Sequence, residues 1–291
     1  MPARILDGRA LARELLDGLA ARAASLRTRG VAPRLVVALV GEDPASEAYV
    51  RSIASVGRRA GVEIAVDVLD SDATDAEVRT RLEGYGAEAR VHGVILQQPL
   101  PAGRSIRRIA DAMPVDKDVD GANPTNQGLL AFGSGARFVP ATPAAVMLLL
   151  ERSDKWPLRG RDVTVIGRSS VVGLPVSLLL MAEHATVTVT HKETRNLPAH
   201  VRAAEVVVVA AGRPGLVTGD WLRPGATIID VGTTVVEGKL VGDVEFASVN
   251  GVAGELTPVP GGVGPVTNVA LMRNVILAAE RLAARNAGVD G

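Results

Sequence analysis

Residues able to do chemistry collect in this sequence where predicted strands end. The stretch Val163-Thr-Val-Ile-Gly-Arg-Ser-Ser-Val-Val-Gly-Leu-Pro175 reads as a strand, a glycine turn and the start of a helix. Gly167 closes the strand and Gly173 opens the helix, so a pyrophosphate would rest on helix amides at the positive end of the macrodipole. The glycines are not spaced as G-x-G-x-x-G, and an ordinary βα turn would read the same way on its own. The next strand, Ala185 to Thr190, runs into His191-Lys192 rather than the acidic residue that commonly binds ribose hydroxyls in NAD-preferring folds. Arg168, Lys192 and Arg195 around one ribose edge suit a 2′-phosphate and hence NADP. Glu193 among them blunts that preference, and solvated surface charges are the alternative reading.

A second group lies in the first half of the chain. Gln97-Gln98 directly follows the strand Val91 to Leu96, at the carboxyl end where parallel sheets place ligands. Tyr49 lies on the helix after the first long strand, with Ile53 one turn on along the same face. A lone helical tyrosine serves packing as readily as chemistry. Asp116-Lys-Asp-Val-Asp-Gly121 supplies three carboxylates that could bind a polar ring or a metal, or simply form an acidic turn. Thr257-Pro-Val-Pro-Gly-Gly-Val-Gly-Pro-Val-Thr267, dense in glycine and proline before a long helix, suggests a fixed loop whose backbone approaches a ligand. The four histidines show no ligand spacing and there is no cysteine, so no metal site is expected.

The elements that must position these residues alternate. A charged amphipathic helix over Gly8 to Arg29 precedes a buried strand from Leu35 to Gly41. A helix then runs from about Pro44, with Asp43 or Ser46 near its start and Gly61 beyond its end. Val62 to Leu69 is a strand, Asp75 to Glu83 a helix and Val91 to Leu96 a strand. Continuous apolar strands alternating with helices predict a parallel sheet covered on both faces. Leu100 to Pro140, rich in proline and glycine, breaks the rhythm as a functional loop system or linker. A helix from Pro143 to Arg152 opens a second series, with strands near Val163–Gly167, Thr186–Thr190, Val206–Ala210, Thr227–Val231 and Ala253–Leu256. The last helix, about Val266 to Asn286, is long enough to return to the first domain. The expected division is 1–139 plus about 270–291 in one domain and 140–269 in the other.

Composition limits the partners. The chain has 291 residues, 47% apolar but only 2% aromatic, so its cores are aliphatic. Thirty-two basic residues balance 32 acidic ones, which gives no charge-driven attraction to nucleic acid or an anionic membrane. The amino terminus lacks the apolar core of a signal peptide, and no apolar run is long enough to cross a bilayer. A soluble cytoplasmic protein is expected.

Taken in order, these motifs resemble the bifunctional methylenetetrahydrofolate dehydrogenase/methenyltetrahydrofolate cyclohydrolase family. The matching stretches are Val40-Gly-Glu-Asp-Pro-Ala-Ser46 with Tyr49, Gly93 to Pro101, Lys117-Asp-Val-Asp-Gly121 and Thr142-Pro143 in the first half. Gly167-Arg-Ser169, Val172-Gly173, Pro175, Asp230-Val-Gly232, Gly242-Asp243 and Pro258 to Pro265 continue it in the second. The resemblance implies an α/β protein with an N-terminal parallel-sheet substrate domain, a C-terminal Rossmann-like NADP domain and a cleft between them. It implies folate one-carbon derivatives as substrates and a homodimer joined through the nucleotide domains. In the family, the residue matching Tyr49 packs on the folate ring and that matching Asp120 recognises the pterin. The glutamine matching Gln97 assists a lysine four residues after the tyrosine, and the loop containing Gly262 and Pro265 borders the same pocket. Gly167, Arg168, Ser169, Gly173, Lys192 and Thr233 fall at cofactor-binding positions.

The chain departs from the family at the lysine, whose place in Tyr49-Val-Arg-Ser-Ile53 is taken by isoleucine. Lys117, Lys155, Lys192 and Lys239 are the only lysines, so none stands elsewhere on this helix. Arg51 lies off the Tyr49 face and stays protonated, which makes it a poor proton carrier. Further departures are Ala122-Asn123-Pro124 for Phe-His-Pro, Thr233-Thr234 for Ile-Asn, and Val266-Thr-Asn-Val269 for Met-Thr-Val-Ala. The expectation is an NADP-dependent dehydrogenase whose cyclohydrolase activity is lost or weak. A fully bifunctional enzyme and a non-catalytic folate- or dinucleotide-binding paralogue are the alternatives.

Overall fold

A computed structural model describes residues 1–41, 43–133 and 137–286. The chain divides into two compact units.

One unit comprises Glu14–Ala141 and the chain from Asn268 on. The other unit's two-residue strand β1 (Arg4–Ile5) comes first in the chain, then helix α1 (Gly8–Thr28). β2 (Arg34–Val40), α2 (Pro44–Ala60), β3 (Glu63–Leu69), α3 (Asp75–Ala87) and β4 (Gly93–Leu96) follow as two βαβ repeats of the kind the alternation predicts. They form a parallel sheet in the order β3-β2-β4, with Leu35 opposite both Ile64 and Gly93. Central β2 is buried along almost its whole length, whereas edge strand β3 alternates between exposed and partly buried positions. Asp43 caps α2 by accepting from the Ser46 amide at 2.7 Å, and Gly61 closes it at φ 75. A reciprocal Thr74–Glu77 capping box starts α3. Val36, Ala38, Leu82, Tyr85, Leu96 and Met113 lie in the aliphatic core on one face of this sheet.

The segment expected as loop or linker contains α4 (Pro124–Phe132). Asn123 starts it by accepting from the Thr125 amide, and Gly133 ends it at φ 67. Its few apolar residues hid it, because its position is set by capping and by the turn before it. Asn274, on the last helix, donates to the carbonyls of both Val119 and Val139, tying that helix to this segment within the same unit.

The second unit comprises Met1–Arg13 and Thr142–Thr267. α5 (Ala141–Leu150) leads to β5 (Asp162–Ile166), α6 (Gly173–Ala182), β6 (Thr186–Thr190), α7 (Leu197–Ala203), β7 (Val206–Val209) and β8 (Thr227–Asp230). β9 (Thr234–Val236) and β10 (Lys239–Val241) form a separate hairpin, followed by α8 (Phe246–Asn250), β11 (Glu255–Leu256) and α9 (Val263–Asn286). Six strands make one parallel sheet in the order β1-β11-β8-β7-β5-β6.

Two features differ from the sequence reading. Residues 1–13 belong to this second unit, not to the first domain: β1 adds to β11, and Arg4 also pairs with the Glu255 carboxylate. A two-residue strand has no periodicity that selects its sheet. The β9–β10 hairpin was not anticipated either; it turns on Glu237-Gly238, both at positive φ, the geometry of a tight two-residue reversal. Among the described residues no helix is long and apolar enough to cross a membrane.

Candidate active site

In the three-stranded unit the candidate residues sit where the sheet's carboxyl ends meet α2. Backbone pairing continues one residue past β4, because the Gln97 amide donates to the Ala38 carbonyl at 2.8 Å. That fixes Gln97 at the sheet's end, with its side-chain amide turned back to donate to the Gln98 carbonyl at 2.6 Å. Tyr49 is half-buried on α2. Ile53, one turn on, is fully buried. Arg51 instead faces Glu47 across one turn at 3.4 Å, exposed.

The three aspartates of the acidic turn divide into separate roles. Asp116 is held between Arg137 and Arg285, each at 2.7 Å. Asp118 is buried and organises the turn, accepting from the amides of Ala122 and Asn123 and from the Asn126 side chain at 2.7–3.0 Å. Asp120 accepts only a long contact from the Ala141 amide at 3.4 Å. Burial, with the Asp118 charge adding to it, pushes the Asp120 carboxyl up to about 7. Burial likewise pushes the Tyr49 phenol up, and the Asp120 charge adds to that shift. Tyr49 and Asp120 therefore share one electrostatic environment. Lys117 turns away from it and caps the end of α3, donating to the Tyr85 and Glu88 carbonyls at 2.8 Å each.

Gly262 and Pro265 lie in the six-stranded unit. A Cβ on Gly262 would fall 2.7 Å from the Pro258 carbonyl oxygen, so the loop closes on itself with no room for a side chain. The start of α1 packs on the same loop, where a Cβ on Gly8 would meet the Gly262 carbonyl.

The nucleotide-side residues gather at neighbouring strand ends. Ile166 and Thr190 are opposite one another, and the Gly167 amide donates to the Thr190 carbonyl at 2.9 Å. Arg168 and Lys192 therefore leave adjacent strands at the same edge, and both are exposed. Thr194 holds the second turn by accepting from the His191 amide at 2.9 Å. Lys192 lies 3.8 Å from Glu193, both well exposed. Gly167 has φ 115, and a Cβ there would sit 2.1 Å from the Ala210 carbonyl oxygen. A Cβ on Gly173 would sit 2.2 Å from the Gly167 carbonyl oxygen. No side chain of the residue preceding α6 caps that helix; only Ser169 reaches back, accepting from the Val172 and Gly173 amides at 3.2 and 3.4 Å. A bare glycine-walled helix start with exposed cations beside it fits a phosphate-bearing dinucleotide.

Two aspartates that the sequence reading assigned no role shape the same sheet edge. Asp230 accepts from the amides of Gly232, Asp243 and Val244 at 2.9–3.0 Å, and burial raises its carboxyl to about 6 despite those bonds. Asp243 accepts from the Ala211 and Gly212 amides at 2.7 and 2.8 Å. Together they fasten the loops after β7 and β8, and Thr233 is exposed on the second of these. The flanking Gly232 and Gly242 were their visible signal, since a Cβ at either would strike one of these carboxylates.

The matches to known proteins cover both units. A model described as tetrahydrofolate dehydrogenase/cyclohydrolase, catalytic domain, matches residues 6–120, and one described as tetrahydrofolate dehydrogenase/cyclohydrolase, NAD(P)-binding domain, matches residues 140–283. The bifunctional protein FolD of Roseiflexus sp. (strain RS-1) is 48% identical over 290 residues, spanning 98% of this chain and 100% of that protein. The structure of the bifunctional FolD methylenetetrahydrofolate dehydrogenase/cyclohydrolase from Campylobacter jejuni is similar at TM-score 0.91 and 37% identity, covering 96% of this chain and 99% of that one. A Trypanosoma brucei methylenetetrahydrofolate dehydrogenase-cyclohydrolase, solved with NADP and an inhibitor, is similar at TM-score 0.90 and 36% identity, covering 97% and 98%. With its catalytic and nucleotide-binding regions both matched, the chain belongs to the tetrahydrofolate dehydrogenase/cyclohydrolase family.

Proposed function

We propose that this protein is an NADP-dependent methylenetetrahydrofolate dehydrogenase in which the family's second reaction, hydrolysis of methenyltetrahydrofolate, is lost or weak. The observation that carries this reading is Ile53, fully buried one turn after Tyr49. Oxidation of the methylene carbon needs the substrate held against the nicotinamide and a pocket that tolerates a cationic product. NADP, when bound, supplies the hydride acceptor; Gly167, Arg168, Ser169, Gly173, Lys192 and Thr233 are the residues proposed to hold it. Tyr49, Gln97 and Asp120 are proposed to place the pterin, and Gly262 and Pro265 are proposed as further substrate-binding residues. None of these steps calls for a protein proton donor.

Hydrolysis does call for one. Water must be activated and a ring nitrogen protonated, general acid–base work worth roughly two to four orders of magnitude. An isoleucine carries no proton and no charge. The competing reading, full bifunctionality, is favoured by the bifunctional names of relatives as close as 48% identity.

Two assays on the purified protein separate these readings. One follows NADP reduction with methylenetetrahydrofolate, and the other follows decay of methenyltetrahydrofolate above its spontaneous rate. Reduction without accelerated decay is expected. Normal decay overturns the role given to Ile53, and inactivity in both assays overturns the enzyme assignment. Ile53→Lys is expected to gain hydrolysis. Cytoplasmic location and a homodimer through the six-stranded unit complete the proposal. The dimer is supported by β6 at the sheet's edge and by exposed Val189, Leu174 and Met181 on β6 and α6.

A further inference from the structure

A cavity of about 490 Å³ in the three-stranded unit takes no part in the reaction proposed above. Its size is that of a small-molecule site. It lies toward the amino ends of the strands: the Val94 amide donates to the Lys117 carbonyl near the start of β4, whereas Gln97 follows that strand's end. Its charged lining is Asp116, Lys117, Arg137 and Arg285, three cations to one carboxylate. Asp116 accepts from Arg137 on one oxygen and from Arg285 on the other, at 2.7 Å each, and so holds the two guanidinium groups on either side of it. It engages a single nitrogen of Arg137, and a guanidinium carries five N–H donors. The Arg137 and Arg285 side chains are 41% and 40% exposed, so a dissolved ligand reaches them.

Gly86, in the last turn of α3, completes the wall. Its φ lies outside the left-handed region, and a Cβ there would meet the Pro114 ring at 3.5 Å, an ordinary contact. Neither the backbone nor the space demands glycine, which weakens a helix relative to alanine. What the missing side chain leaves is an open cavity wall.

We propose that this cavity is a second ligand site, and that it takes an organic oxyanion: a carboxylate or phosphate ester on an apolar body. One carboxylate does not neutralise three cations, so the lining keeps a net positive charge that attracts an anion. The planar, forked guanidinium groups match the paired oxygens of a carboxylate or a phosphate. Pro114, Val115 and Leu282 form the apolar part of the lining and give the ligand's body a surface to bury. A bare inorganic anion gains only the charge, and a neutral apolar molecule gains only the wall. The site stands apart from the dehydrogenase reading, and either fails without the other.

The test is calorimetric titration of the whole protein with excess NADP present, which keeps the nucleotide bed from being the anion site measured. The probes are phenyl phosphate, benzoate, inorganic phosphate and benzyl alcohol. One organic anion per chain is expected to bind, about tenfold or more tightly than inorganic phosphate or benzyl alcohol. Phenyl phosphate or benzoate as the tighter of the two supports the proposal and names its oxyanion. Arg137→Gln is expected to weaken the organic anion about tenfold, the scale of one charge-assisted hydrogen bond, and to leave benzyl alcohol unchanged. Gly86→Leu keeps every charge but fills the wall, and is expected to weaken the organic anion by at least as much. Arg137→Gln, at a half-exposed side chain, carries the test if Gly86→Leu does not fold. The proposal is overturned if wild type shows no saturable binding, if the organic anions bind no more tightly than inorganic phosphate, or if either folded variant binds them as wild type does.

Discussion

The two parallel sheets present ligand-binding ends built on opposite principles. In the six-stranded unit the candidate nucleotide bed is backbone: Gly167 and Gly173 press on carbonyl oxygens at separations no side chain tolerates. In the three-stranded unit the candidate chemistry rides on side chains, namely Tyr49, Gln97 and Asp120, each fixed by its own element. A backbone bed has almost no tolerated substitutions, because any Cβ strikes the chain itself. A side-chain site can lose one group while the rest stays in place, which is the loss proposed at Ile53.

The sharpest way to break this contrast is to put a side chain into the backbone bed. Gly173→Val is expected to weaken NADP binding by a hundredfold or more, since its Cβ has no space beside the Gly167 carbonyl. Binding measured by quenching of intrinsic fluorescence or by calorimetry checks this. An affinity within a few-fold of wild type would show that the dinucleotide lies elsewhere.

Side-chain changes are expected to have smaller effects. Ile53→Lys buries an ammonium in a fully enclosed position and is expected to cost about 2–4 kcal/mol in urea unfolding, even as it gains hydrolysis. Lysine at this position without any stability loss would mean that it reaches water or a carboxylate. On the exposed cofactor edge, Lys192→Ala is expected to lower the NADP-over-NAD preference by about tenfold. Glu193→Gln should move it the other way by less, because the Lys192–Glu193 pair is solvent-screened. Ratios of kcat/KM with the two cofactors measure both changes.

The same contrast explains what could be read from the residues alone. β2, the Asp43 and Gly61 caps of α2, and the Gly167–Gly173 turn were legible because local sterics and capping dictate them. The sheet joined by Arg4–Ile5 was not, since two residues carry no pattern and their pairing with β11 is wholly tertiary. Helix α4 depends on Asn123 as cap and on the Asp118 turn before it, and neither announces itself by hydrophobic spacing. Within the acidic turn, sequence shows three carboxylates. Only the fold separates the ion-paired Asp116, the turn-forming Asp118 and the nearly unpaired Asp120.

The finest test of the side-chain site uses the proton on Asp120. Its carboxyl is raised to about 7 by burial and by Asp118, whereas in the unfolded chain it has its ordinary value near 4. Between those values the folded protein holds a proton that the unfolded chain has released. Stability therefore falls as pH rises through that window and levels off above it. Asp230, raised to about 6, contributes in the same direction but finishes earlier. His92 opposes both: burial and the Lys117 charge keep it neutral, so its contribution is lost as pH falls below its ordinary value. Subtracting the unfolding free energies of Asp120→Asn from wild type cancels the other groups. Between about pH 6 and 8 the difference is expected to change by about 1 kcal/mol, with wild type the more pH-sensitive. A folate-side ligand that needs the ionised carboxylate should bind more weakly as pH drops through 7 in wild type and show no such trend in Asp120→Asn. Parallel stability curves would place Asp120 in contact with water and remove the electrostatic link to Tyr49; a slope in stability without one in binding would leave the carboxylate buried but outside the ligand's reach.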